Sequence, residues 1–228
     1  MKYYLYISNT KVDMLYPQIP SRLRENLATE LKIDFKVLST TFSEEPPEET
    51  TISKLKVVTE YIEKNEPVGT VDEPKSYFKG TLPMKWGPYG ENNEIVYFAG
   101  STSNTVFGLG GSMDHVIGSK GESSAQYWAA STTPYLISTL KNELNLLEPD
   151  LELRSLMGYE SPRPPAMRAV YQVTTKMEGP VEQLQFLAKK LLDTDDFTEE
   201  EKEHSNRMHW EVDKRILLGT PLYVAMAD

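Results

Sequence analysis

Apolar residues recur along this chain at two spacings, every second position and every third or fourth, and the two sort it into strands and helices. Tyr3 to Ser8 (YYLYIS) predicts a strand and Lys11 to Tyr16 (KVDMLY) a short helix stopped by Pro17. Ser21 is placed to cap a second helix over Arg22 to Glu30, and Lys32 to Phe42 alternates as a strand with Ile33, Phe35 and Val37 on one face. Thr50 or Thr51 opens an amphipathic helix with the stripe Ile52, Leu55, Val58 and Ile62, ending near Asn65-Glu66-Pro67. A β-rich centre follows: Tyr77 to Trp86, the turn GPYGENN, then Glu94 to Gly100 and Thr105 to Leu109 as a hairpin about Ser101 to Asn104.

Further on, Ser123 to Leu147 is expected to be mainly helical, broken or restarted at Pro134, with Leu136, Leu140, Leu144 and Leu147 as its apolar stripe. In Ala166 to Met177 the residues Met167, Ala169, Tyr171, Val173 and Thr175 alternate with Arg168, Val170, Gln172 and Thr174, the period of a strand. Gly179-Pro180 is expected to start a helix burying Val181, Leu184, Ala188 and Leu191, and Thr198 to Glu201 fits a capping box. Ile216 to Leu218 and Leu222 to Ala227 predict a last strand interrupted at Gly219-Thr220-Pro221. The expected class is α+β: a mixed or mainly antiparallel sheet with packed helices, the N- and C-terminal strands in the same sheet. One compact domain over 1–228 is the expected organisation; sub-lobes 1–157 and 166–228, joined by the proline-rich Gly158–Pro165, are the alternative division.

Composition narrows the chemistry. Of 228 residues none is cysteine, which excludes disulfides, thiol nucleophiles and thiolate-bound metals and fits a reducing, cytoplasmic setting. The first residues lack the apolar core of a signal peptide and no apolar run is long enough to span a membrane, so no membrane partner is expected. The net charge of −10 is concentrated in SEEPPEET (43–50) and DTDDFTEEEKEH (193–204), which leave the remainder formally neutral. With no extended basic footprint, nucleic acid is not an expected partner.

Six of the thirteen glycines fall between Ala99 and Gly121 (AGSTSNTVFGLGGSMDHVIGSKG). The segment fails the specific phosphate motifs: Gly118-Ser119-Lys120 misplaces the lysine of a Walker loop, and the dinucleotide fingerprint meets Met113 where its last glycine belongs. The esterase elbow fails at Met113-Asp114. What remains is a candidate anion cradle from Gly110, Gly111 and Ser112, with Ser101, Thr102 and His115 beside it. His115 and Ser112 are weak catalytic candidates, since no partner for either is identifiable from spacing. Glu200 and His204, four residues apart on an expected helix, with His209 beyond, are weak metal candidates in a run more simply explained as a solvated face. Lys11 and Asp13 follow the first strand where sheet proteins often place ligand contacts, and Tyr16, Tyr77, Trp86, Tyr89 and Trp128 suit a pocket or the core. No cofactor is expected.

Taken together, YLYISNTKVDMLYPQIP, GTLPMKWGPYG, VYFAGSTSNTVFGLGGSMDHVIG and ILLGTPLYVAMAD resemble an uncharacterised bacterial family of about this length, a domain of unknown function, across nearly the whole chain. The resemblance implies a stand-alone cytoplasmic bacterial protein and transfers no catalytic residue. Three functions are therefore weighed. The first is a non-catalytic small-molecule-binding or regulatory module, its ligand anionic or nucleotide-like, on the glycine-rich hairpin. The second is a hydrolase-like enzyme using His115 with Ser112 or a carboxylate. The third is an acidic module binding a protein partner or a second copy of itself.

Overall fold

The computed structural model describes residues 2–33, 50–90, 93–118, 135–140, 142, 163–207 and 213–227. The chain divides into two compact units, residues 1–7 with 69–228 and residues 8–68.

The larger unit is built on strands β1 (Tyr4–Ile7), β3 (Tyr77–Tyr89), β4 (Ile95–Ser101), β5 (Thr105–Ser112), β6 (Glu182–Asp193) and β7 (Arg215–Met226); a two-residue β2 (Val68–Gly69) marks its boundary. β3 pairs with β4, β4 with β5, β5 with β7, β7 with β6, and β6 returns to β3, so these five strands close on themselves as a barrel. Of these five contacts only β5–β7 is parallel. Five strands closed in this manner are the architecture of OB-type barrels. β1 pairs antiparallel with the far end of β7, Tyr4 opposite Ala225, as expected for the two terminal strands.

Alternation along the strands separates the barrel's inside from its outside. Val96 and Phe98 of β4 join Phe78, Phe107, Leu109 and Phe186 in the interior, where Phe78 meets Phe186 edge-on at 5.8 Å. Each such buried side chain contributes about 1.5–3 kcal/mol through lost apolar exposure. Ile95, Tyr97 and Ala99 point outward into a second core with Leu136, Leu140 and helix α4 (Arg163–Lys176). Residues 135–140 are helical as expected, whereas Leu144 and Leu147 lie outside the described residues.

Two expectations are exchanged here. Ala166 to Met177 is a helix, because its buried Ala166, Ala169, Val170, Val173 and Met177 follow a three-and-four spacing as well as the alternation. Pro164 and Pro165 stand in its first turn, where the missing N–H costs nothing, and Gly179 turns the chain at φ +122° after its end. The segment after Gly179-Pro180 is strand β6, with Leu184, Phe186 and Ala188 facing the barrel interior, while Val181 of the expected helix stripe is 60% exposed. The last strand is also continuous through Gly219-Thr220-Pro221. Pro221 sits beside an irregularity in the β6–β7 register, where a strand tolerates a missing donor, and Phe78 fills the space beside Gly219. Thr198 and Glu201 form the capping box of α5 (Glu199–Arg207): Thr198 N–H donates to Glu201 Oε2 at 2.9 Å and Glu201 N–H to Thr198 Oγ1 at 3.3 Å.

The smaller unit contains α1 (Asn9–Leu15), a turn of 3₁₀ helix at Tyr16–Gln18, α2 (Ser21–Glu30) and α3 (Thr51–Asn65). Ser21 is α2's first residue rather than its cap, which is Pro20. Thr50 caps α3 by accepting the Ser53 N–H, and Lys54 of α3 pairs with Asp13 of α1 at 2.9 Å. Of the expected stripe Leu55, Val58 and Ile62 are buried, but Ile52 is 46% exposed and Val57 takes its place. The expected strand over Lys32 to Phe42 and the loop SEEPPEET fall almost wholly outside the described residues.

Candidate functional site

The β4–β5 hairpin forms as its sequence predicts, closed by a 2.8 Å bond from Thr102 N–H to the Thr105 carbonyl, but its glycines have no open side. A Cβ on Gly108 would run into Tyr97 Oη, one on Gly110 into Leu136, and one on Gly111 into Tyr6 Oη. Gly110 and Gly111 also stand in register with Tyr97 and Val96 of β4. The missing side chains make room for the protein's own rings and branched chains, which accounts for these glycines without a guest.

Ser112 Oγ is engaged with Asp114, accepting its N–H and donating to Oδ2, both at 3.4 Å, and makes no bond to His115. The His115 ring stands edge-on to Tyr6 at 5.8 Å. Glu200 is exposed on α5; His204 shares that helix, its side chain and all of His209 lying outside the described residues. Among the described residues no group of three or more acids and histidines is placed to hold a metal. Trp86 stacks on Phe98, Tyr89 tilts against Tyr97 and Tyr16 is buried, so these aromatics belong to core and rim; Trp128 is outside the described residues.

Open space lies elsewhere, in a groove of about 450 Å³ between the outer face of β3 and β4 and one side of α4. That volume suits a small molecule. Ser101 alone of the expected ligand residues lines it, joined by Lys85 of β3, Lys214 just before β7, and Tyr171, Thr174 and Thr175 of α4. Each lysine is steadied by one carbonyl: Lys85 Nζ donates to Met177 O at 2.7 Å, beyond the end of α4, and Lys214 Nζ to Thr102 O at 2.9 Å, in the hairpin turn. An ammonium carries three N–H donors, so both retain capacity for a guest. Among the described residues no carboxylate lines the groove, in a chain of net charge −10. Thr174 Oγ1 and the fully buried Tyr97 Oη share a 2.9 Å bond beneath it. Burial raises the Tyr97 phenol far above its ordinary value, against the opposing pull of that bond, so it stays neutral.

A polar network fixes the Lys214 end. Asp72 Oδ1 accepts from Thr102 Oγ1 at 2.5 Å and Thr105 Oγ1 at 2.8 Å, which explains why Thr102 serves the turn rather than a ligand. Arg215 donates to the Asp72 carbonyl at 3.0 Å and forks onto Asp193 with Nε to Oδ1 at 2.8 Å and Nη2 to Oδ2 at 2.6 Å. Burial pushes the Asp193 carboxyl up, but the Arg215 bonds, the Asp195 N–H and the Lys190 charge reverse that and hold it below its ordinary value. The acidic run is thereby partly neutralised: Asp195 pairs with Arg215, Asp196 with Lys190, Glu199 with Lys202 and Glu201 with Arg163.

A model of a family of unknown function, DUF7019, matches residues 2–228, and the chain belongs to that family. No curated protein and no solved structure matches it. Among the described residues no helix is long and apolar enough to cross a membrane.

Proposed function

We propose that this member of the DUF7019 family is a non-catalytic binding module that holds a small anionic ligand in the groove between β3–β4 and α4, rather than on the hairpin glycines. The observation that carries the reading is the pairing of Lys85 and Lys214, each with spare donors, in a groove with hydroxyls from Ser101, Thr174 and Thr175 and no acid among the described residues. Charge-assisted hydrogen bonds to an anion are the strong interactions such donors offer, and apolar Val106, Val181 and the Tyr171 ring suit the ligand's uncharged body. The hydrolase-like alternative, His115 with Ser112 or a carboxylate, ranks second, because the hydrogen bonds of Ser112 Oγ run to Asp114. An acidic docking strip is likewise weakened by the internal pairing of Asp193, Asp196 and Glu201. A cytoplasmic setting belongs to the same proposal, resting on a chain without cysteine.

Thermal unfolding in the presence of phosphorylated and carboxylated metabolites tests it. A ligand at a hundred times its Kd adds about 2.7 kcal/mol to stability, an easily measured rise in Tm. The rise should disappear in Lys85→Gln and Lys214→Gln. A panel in which no anion stabilises the protein, or in which both variants respond like the parent, defeats the reading.

A further inference from the structure

The two lysines of the groove are not neighbours, and their separation constrains the ligand. Lys85 stands opposite Ala99 in the β3–β4 register, whereas Lys214 is held on the carbonyl of Thr102. Two residues, Gly100 and Ser101, lie between those positions, so at about 3.3 Å per step the Lys85 backbone and the Thr102 carbonyl that holds Lys214 are roughly 10 Å apart along β4. The α4 side agrees: Lys85 reaches Met177 beyond the helix end, while Tyr171 and Thr174 line the stretch before it. The groove wall also carries the apolar Ala99, Val106 and the Tyr171 ring. With Lys85 held on the Met177 carbonyl and Lys214 on the Thr102 carbonyl, a compact anion such as free phosphate meets one lysine rather than both. Leaving the second ammonium beside apolar surface gains nothing from its remaining donors.

From this spacing we infer that the ligand is an elongated dianion, with two carboxylate or phosphate groups near opposite ends of a largely apolar body. The inference rests on the anion-binding reading and narrows it: Lys85 sets one end, Lys214 with Ser101 the other, and the distance between them selects for length. Thr174 and Thr175 add little to that selection, because Thr174 Oγ1 is bonded to Tyr97 and Thr175 Oγ1 donates to the Tyr171 carbonyl at 2.8 Å.

The test is isothermal titration of the full chain with straight-chain dicarboxylates from succinate to dodecanedioate, each beside the monocarboxylate of equal length. Affinity should peak in the middle of the series, from suberate to sebacate. The best dianion should bind about tenfold more tightly than its matched monoanion, the gain of one further charge-assisted contact. Lys85→Gln or Lys214→Gln should bring the dianion down to the monoanion level, and both together should abolish binding. An unchanged thermal melt of each variant in buffer confirms that the fold is kept. Affinity that is independent of length, or equal for mono- and dianions, overturns the inference while leaving anion binding in place. Titrations in which neither series binds overturn both.

Discussion

Replacing Arg215 by methionine removes the guanidinium from a carboxylate that has no solvent to fall back on. The Asp193 side chain is fully buried and Arg215 is 18% exposed, so the fork of 2.6 and 2.8 Å bonds is nearly desolvated on both sides. Breaking one partner of such a pair costs about 3–5 kcal/mol, mostly through the charge left behind. The Lys190 ammonium, 3.4 Å away and already shared with Asp196, recovers only part of it. Against a total stability of about 5–15 kcal/mol the loss is large. At about 2–4 °C per kcal/mol for a chain of this size, it corresponds to a fall in Tm on the order of 10 °C. Urea unfolding monitored by tryptophan fluorescence measures the effect. Adding Asp193→Asn to Arg215→Met should restore part of the loss, because it removes the stranded charge. The same pair sets an acid limit. Asp193 titrates below its ordinary 3.8 when folded, so its contribution is complete above that value and is lost as pH falls through the lower, folded one. A drop of less than about 1 kcal/mol for Arg215→Met, or a double variant no better than the single one, refutes the reasoning.

Gly108→Ala should destabilise by about 1–3 kcal/mol through overpacking against Tyr97, and Tyr97→Phe should relieve part of that loss in urea unfolding of the double variant. Burial lowers the Lys11 ammonium from 10.5 to about 8, with Ser8 Oγ accepting its hydrogen bond at 3.3 Å. The folded state therefore carries a penalty of up to about 3 kcal/mol below pH 8, relieved as pH rises from there toward the unfolded value. After the lost bond is subtracted, Lys11→Met should be more stable than the parent by about 2 kcal/mol at pH 7, a margin that closes toward pH 10 in denaturation series. Thr198→Ala should cost about 1 kcal/mol by undoing the capping box of α5, and Thr198→Asp should cost less, as thermal melts would show.

Local signals were legible where one chemical cause acts alone. Thr50 and Thr198 advertise helix starts, the hairpin about Ser101–Asn104 follows from its flanking apolar runs, and the pairing of β1 with β7 follows from two terminal strands. The exchange of helix and strand at 166–193 has a different origin. Small and β-branched residues such as Ala169, Val170 and Val173 satisfy both periods, and only what they pack against decides between them. The groove was hidden for that reason and for another. Its helix wall was expected as a strand, and its lysines lie more than half the chain apart, brought together by register and by two backbone carbonyls. The glycines were conspicuous in the sequence, but glycine content signals close approach without saying whether a guest or the protein's own side chain does the approaching.

β7 carries a consequence for synthesis. It is hydrogen-bonded to β1, β5 and β6, all of which leave the ribosome before it does, β1 and β5 long before. Until its last residues emerge, β5 and β6 each lack a neighbour and the aromatic interior stays open to water, so the nascent chain has no partial barrel to settle into. Acquisition of the native state is thus postponed until β7 has been made, and shielding during that interval falls to whatever chaperones attend the exit tunnel.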